Sequence, residues 1–221
     1  MQWANVFHIY QPPQWDPEVL KKVAREAYRP LAKALLSHPH IKITLNISGS
    51  LTEQLTHNHS DILDAFRVCA ERGQIEFLGS AAYHPLLPLI PKKEIVRQIL
   101  LNTKINRKIF GKAWKPKGFY PPELAFNAKV LSVVRRLGFD YILVDEIGFA
   151  KKWDVVDYQT RYETPNGLGV IFRNREASDA FLETSTSTTE GFMKEIDKEF
   201  NEEVILVTAL DGENLGHHRH G

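Results

Sequence analysis

The chain has a single cysteine, Cys69, in 221 residues. No disulfide can form within it, and a reducing compartment is favoured. Cys69 lies in the helix-like run Leu63-Asp-Ala-Phe-Arg-Val-Cys69 and reads as a small core residue. No apolar run approaches the roughly 20 residues of a membrane-spanning helix. Lys and Arg number 28 against 27 Asp and Glu, so no basic field points to nucleic acid or to a membrane surface. The opening Met1-Gln-Trp-Ala-Asn5 enters an apolar strand without a basic-then-apolar leader, and the expectation is a soluble, cytoplasmic protein. Gly49 and Gly79 stand alone, so there is no glycine-rich phosphate loop, and no Gly-x-Ser-x-Gly elbow appears. No cofactor is expected.

What is present is an alternation. Hydrophobic residues make up 43% of the chain and charged residues 25%, ordinary for a globular domain, and the length suits one domain over residues 1–221. Strands are expected at Ala4 to Ile9, Ile41 to Ile47, Ile75 to Leu78, Gly118 to Tyr120, Tyr141 to Val144, Leu168 to Phe172 and Val204 to Thr208. Several are unbroken in Val, Ile, Leu and Phe, as in strands buried on both faces of a parallel sheet. Helical patterns lie between them: Glu18 to Ser37 after Asp16-Pro17, Leu51 to Arg72 before Gly73, Lys92 to Phe110 before Gly111, and Asn127 to Leu137 before Gly138. This order implies an α/β fold with mostly parallel strands in a barrel-like sheet and helices outside. Residues 145–169 break the rhythm, and Pro165-Asn-Gly167 predicts a β-hairpin insertion there. Thr184 to Thr189 reads as a polar loop.

Two carboxylates end apolar runs where a parallel barrel places its chemistry. Glu123 follows Gly118-Phe-Tyr-Pro-Pro, and Asp211 follows Val207-Thr-Ala-Leu. Two acids brought to one mouth from distant segments suit glycosidic-bond cleavage, one as nucleophile and the other as acid/base.

Polar groups with directional hydrogen bonds gather around similar positions. His8, Tyr10 and Gln11 end the first strand before Pro12-Pro13, and His84 sits in a proline-punctuated loop after the third. Glu76 interrupts an apolar strand, which costs free energy unless the acid is paired or functional. His217, His218 and His220 cluster near Asp211 and Glu213. His217 and His218 are adjacent and diverge on any regular element, so no metal site is expected.

In chain order, His8…Gln11-Pro12, Gly73-Gln-Ile-Glu76, Tyr120-Pro-Pro-Glu123 and Asp211-Gly-Glu213…Gly216-His217 resemble the first four signature regions of glycoside hydrolase family 57. The resemblance implies an incomplete (β/α)7 barrel and retaining action on α-glucans, as amylase, 4-α-glucanotransferase or branching activity. It implies Glu123 as nucleophile and Asp211 as acid/base, with His8, Gln11, Glu76 and His217 lining the substrate subsite. Tyr10 stands where the first region often has a second histidine. Tyr10, His84 and Glu213 complete the expected substrate-binding set, and the partner is an α-glucan or oligosaccharide.

After Asp211 a helix should follow in the strand-loop-helix order, so the chain is expected to continue beyond Gly221 into a helical region. Two other functions fit an α/β barrel with sugar-binding polar groups. One is a metal-dependent polysaccharide deacetylase, which needs an Asp-Asp or His-x-x-x-His ligand set at strand ends, and neither pattern appears near them. The other is a non-catalytic carbohydrate-binding relative.

Overall fold

The computed structural model describes residues 2–150, 156–181, 188–197 and 205–217. The segment 184–187 of the expected polar loop, Val204, His218 and His220 lie outside the described residues.

Strand β1 (Gln2–Ile9) leads through α1 (Pro17–Val23), a π-helical segment over Ala24–Tyr28, and α2 (Arg29–Ser37) to β2 (Ile43–Ile47). Asp16 accepts a bond from the Glu18 amide, and Pro17 fills the first helical position, where a missing N–H costs nothing. Helices α3 (Gly49–Asn58) and α4 (Ser60–Glu71) then precede β3 (Ile75–Leu78). The single helix expected over 51–72 is therefore two, because His59 leaves helical geometry at φ −139° and ψ 33°. Helix α5 (Lys92–Phe110), β4 (Gly118–Phe119), α6 (Ala128–Arg136), β5 (Tyr141–Asp145) and the short α7 (Ile147–Ala150) follow. The insertion is the expected hairpin: β6 (Tyr162–Glu163) pairs antiparallel with β7 (Gly169–Arg173). Helices α8 (Arg175–Ala180) and α9 (Thr189–Asp197) lead to β8 (Ile205–Asp211).

Seven of the described strands run parallel, in two four-stranded sheets ordered β3-β2-β1-β8 and β4-β5-β7-β6. The sheets meet at two seams. At the first, the Gly79 amide donates to the Gly118 carbonyl at 2.9 Å and the Tyr120 amide to the Gly79 carbonyl at 2.8 Å. At the second, the Asn174 amide donates to the Val207 carbonyl at 2.7 Å. Side chains complete this second seam: Arg173 Nη1 donates to the Ala209 carbonyl, and the Ala209 amide donates to Ser178 Oγ, each at 3.0 Å. The result is an incomplete barrel of parallel strands with a hairpin insertion.

The period-two alternation of the strands sorts the core. Phe7, Ile9, Leu45, Ile47, Ile75, Phe77 and Leu210 face outward against the flanking helices. Val6, Leu78, Leu143, Val207 and Ala209 face inward, with Ile171 packed beside them, and fill the barrel. One inward step toward the C-terminal ends, the apolar layer gives way to His8, Asn46, Tyr120, Asp145, Arg173 and Asp211. One step the other way stand Glu76 and Tyr141. The barrel is thus packed in its middle and polar at its C-terminal mouth.

Candidate active site

Asp211 is the last residue of β8, and register sets it beside His8 on β1, which in turn lies beside Asn46 on β2. His8 Nδ1 and Asn46 Oδ1 are 2.7 Å apart and buried. Glu123 comes from the turn after β4, where the Pro121 carbonyl accepts the Leu124 amide. Glu123 and Leu124 have φ of 56° and 53°, and His84, in the loop after β3, has φ of 54°. These are the positive-φ non-glycine residues among those described, and they meet at one place. His84 Nδ1 is 3.7 Å from Glu123 Oε1. Left-handed backbone outside glycine is costly and concentrates at sites where side-chain direction matters.

Four rings form a wall. Tyr10 stacks on His84 at 4.2 Å, His84 on His8 at 4.9 Å, and His8 on Tyr120 at 4.8 Å between ring centres. Burial, and then the neighbouring His8, pull the His84 pKa down to about 3, so the ring is neutral over the working range of most enzymes. Burial and the Asp211 carboxylate push the Tyr120 hydroxyl well up, leaving it a neutral donor.

Behind the wall, Glu213 is held by three donors on a single oxygen. The Tyr28 hydroxyl, Gln11 Nε2 and the Tyr10 amide all reach its Oε1. Burial raises the Glu213 pKa against the opposing pull of these bonds. Glu26, from the same π-helical segment as Tyr28, accepts from His217 Nδ1 at 2.7 Å. The wider turn of that segment thus brings both side chains onto the 213–217 strand-end loop, a use of π geometry often found at functional sites.

The two carboxylates stand at a waist between two cavities. One, of about 320 Å³, is bounded by His8, Tyr10, Gln11, Trp15, His84 and Glu213, with His217 at its side. The other, of about 760 Å³, is bounded by Phe126, Asn127, Asp145, Ile147, Arg173 and Arg175. Tyr120, Glu123 and Asp211 line both. Glu123 is open, with 67% of its side chain exposed.

Eight of the nine residues singled out in the sequence come together here: His8, Tyr10, Gln11, His84, Glu123, Asp211, Glu213 and His217. Glu76 does not join them. It faces into the barrel one layer below Leu78, toward the N-terminal end, and its Oε1 accepts the Tyr141 hydroxyl at 3.0 Å. The acid in an apolar strand has its partner there, and that partner is remote from the mouth. Residues that sequence reasoning passed over are Asn46, Tyr28, Glu26, Asp145 and Arg173. Asp145 and Arg173 each end an apolar run, the same signal that marked Glu123 and Asp211. Tyr28 and Glu26 carry no such signal, since their role depends on a helical distortion. Among the described residues no group of three or more His, Cys, Asp or Glu could hold a metal.

The C-terminal mouth of this parallel α/β barrel thus holds two carboxylates backed by aromatic rings and polar side chains. The model of glycosyl hydrolase family 57 matches residues 4–221, and the chain belongs to that family. An "Alpha-amylase 1" of Dictyoglomus thermophilum is 33% identical over 169 residues, covering 74% of this chain and 24% of that protein. The crystal structure of a 4-α-glucanotransferase from Thermococcus litoralis superposes with a TM-score of 0.84 at 23% identity, over 98% of this chain and 34% of that one. A family 4 carbohydrate esterase from Streptomyces lividans shares the fold more loosely, with a TM-score of 0.54 at 14% identity, over 97% of this chain and 82% of that one. The chain spans about a quarter of the curated relative and a third of the glucanotransferase.

Proposed function

We propose that residues 1–221 form the catalytic barrel of a cytoplasmic retaining enzyme acting on α-glucans, as hydrolase or transglycosylase. The observation that carries this reading is the placement of Glu123 and Asp211 at one waist between two cavities. Family membership and the α-glucan enzymes among the relatives support it.

In this reading Glu123 attacks the anomeric carbon while Asp211 delivers a proton to the departing glycosidic oxygen. The sugar is then held as a glycosyl ester on Glu123. Asp211, now a carboxylate, takes a proton from water or from an incoming sugar hydroxyl, whose oxygen displaces Glu123 and restores the original configuration. Which acceptor arrives first separates hydrolysis from transfer. The ring wall and Glu213 bind and orient the sugar, and neutral His84 and Tyr120 exclude competing charge.

Glu123→Gln in the full chain keeps shape and removes the attacking charge, so turnover collapses while glucan binding persists. Asp211→Asn is severe on glucans and milder on substrates with a good leaving group, which need little proton donation. Azide partly restores the Asp211 variant with retained product, and gives inverted product in Glu123→Ala, where the shortened side chain leaves room for the anion. Failure of azide in both, or the reverse pattern of anomers, overturns the assignment. A chelator arm addresses the deacetylase alternative: activity lost with chelator and restored by metal supports that reading instead.

A further inference from the structure

We propose that His84 is a positioning residue for Glu123, a neutral imidazole whose Nδ1–H points at the Glu123 carboxylate and holds it for attack. The inference rests on the reading of Glu123 as the nucleophile.

Four independent features converge on this ring. Nδ1 faces Glu123 Oε1 at 3.7 Å, longer than a formed hydrogen bond, as catalytic contacts often are before substrate tightens them. Both residues hold left-handed backbone, a conformation uncommon outside glycine. The ring packs against both Tyr10 and His8, whose own centres are 6.5 Å apart, and with only 6% of the side chain exposed it is held in place. Finally, Nε2 is buried without a protein partner. Nε2 lacks a partner whichever tautomer is present, and of the two nitrogens only Nδ1 faces a carboxylate that a proton could meet. The tautomer with Nδ1–H follows.

The titratable groups around the ring are His8, Tyr10 and Glu123. With burial dominant, the imidazole stays uncharged well below neutrality, so the interaction is a directed hydrogen bond and not an ion pair. A neutral donor orients the carboxylate without neutralising the charge it needs for attack.

Three variants separate this from a packing role. His84→Phe keeps the ring stack and removes the donor, His84→Asn places an amide N–H where Nδ1 stands and tolerates left-handed backbone, and His84→Gln moves the N–H to the Nε2 position. For the full chain on maltooligosaccharides, His84→Phe and His84→Gln lower kcat by about 10- to 100-fold with little change in KM, the loss of one hydrogen bond to a charged group. His84→Asn recovers most of kcat. The His84→Phe defect persists with an α-glucosyl fluoride donor, because nucleophilic attack is still required, whereas the Asp211→Asn defect shrinks. Equal impairment of Phe and Asn variants, or wild-type kcat in His84→Phe when Glu123→Gln is dead, overturns the proposal. Wild-type turnover in Glu123→Gln overturns the nucleophile reading instead. A measurement independent of activity completes the test: ¹⁵N NMR of the wild-type imidazole. A neutral Nδ1–H tautomer at pH 5 whose Nδ1 shift moves in Glu123→Gln supports the proposal; an Nε2–H tautomer or a protonated ring at that pH defeats it, even in an inactive preparation.

Discussion

Glu26 ties the loop after β8 to the first helical layer, and its proton affinity carries the record of that tie. The neighbouring Arg25 guanidinium, and then His217, hold its carboxyl down from the ordinary 4.5 to about 2. The folded state therefore takes up this proton later than the unfolded chain. The stabilisation is complete above about pH 4.5 and fades as the pH falls through about 2. Glu26→Gln should be less stable than wild type above pH 4.5, and the two should converge as the pH approaches 2. Urea denaturation across that range measures the gap, and a constant gap at every pH would rule out the linkage. Glu213 works in the opposite sense, since its raised pKa favours the folded state at low pH and the benefit is lost as pH rises. At this scale the sequence exposed the acids that end strands. It could not expose Glu26, whose meaning comes from a residue 191 positions away.

The elements show where local pattern suffices and where it does not. The strands were legible because apolar runs buried on both faces have few alternatives, and helix ends because Asp16-Pro17 and Gly111 impose them. The π-helical segment was not legible: a single widened turn over Ala24–Tyr28 is too short to show a period of its own. The first seam also depends on details below that pattern. At Gly118 the Tyr141 ring lies where a Cβ would stand, and the ring crosses β4 on its way from β5 to Glu76 on β3. This clasp spans the seam that only a short stretch of backbone bonding joins. Gly118→Ala should therefore push Tyr141 aside and cost about 1–3 kcal/mol, the usual cost of overpacking. Tyr141→Phe should cost about 0.5–1.5 kcal/mol, the net value of one hydrogen bond. In thermal melts Gly118→Ala should fall further than Tyr141→Phe, and the double variant by less than the sum. Strict additivity would show that the clasp and the glycine are unconnected.

For the molecule as a whole, the arrangement makes a geometric demand on its ligand complex. A retaining pair needs its carboxyl groups about 5–5.5 Å apart, whereas an inverting pair needs about 6.5–9.5 Å to admit water. A crystal structure of the full chain with a bound α-glucan oligosaccharide should show the shorter separation, with sugar on both sides of Glu123 and Asp211. The longer separation would mean inversion. Local pattern marks the α/β class, the order of the parallel strands, the helical stretches up to residue 137, the hairpin at Pro165-Asn-Gly167 and the two acids at strand ends, but not α7, α8 or α9. These follow from burial periodicity, turn chemistry and the position of polar residues along a strand, all of which are local. Which of those polar residues share a mouth depends on the folded arrangement. His84 and Glu123 meet through left-handed turns after different strands, Glu213 is gripped from a distorted helix, and Glu76 faces the far end of the barrel with Tyr141. Each of these depends on strand register and on which layer of the barrel a side chain enters, and a shift of two residues along a strand moves a side chain by about 6.6 Å without changing the face it points to.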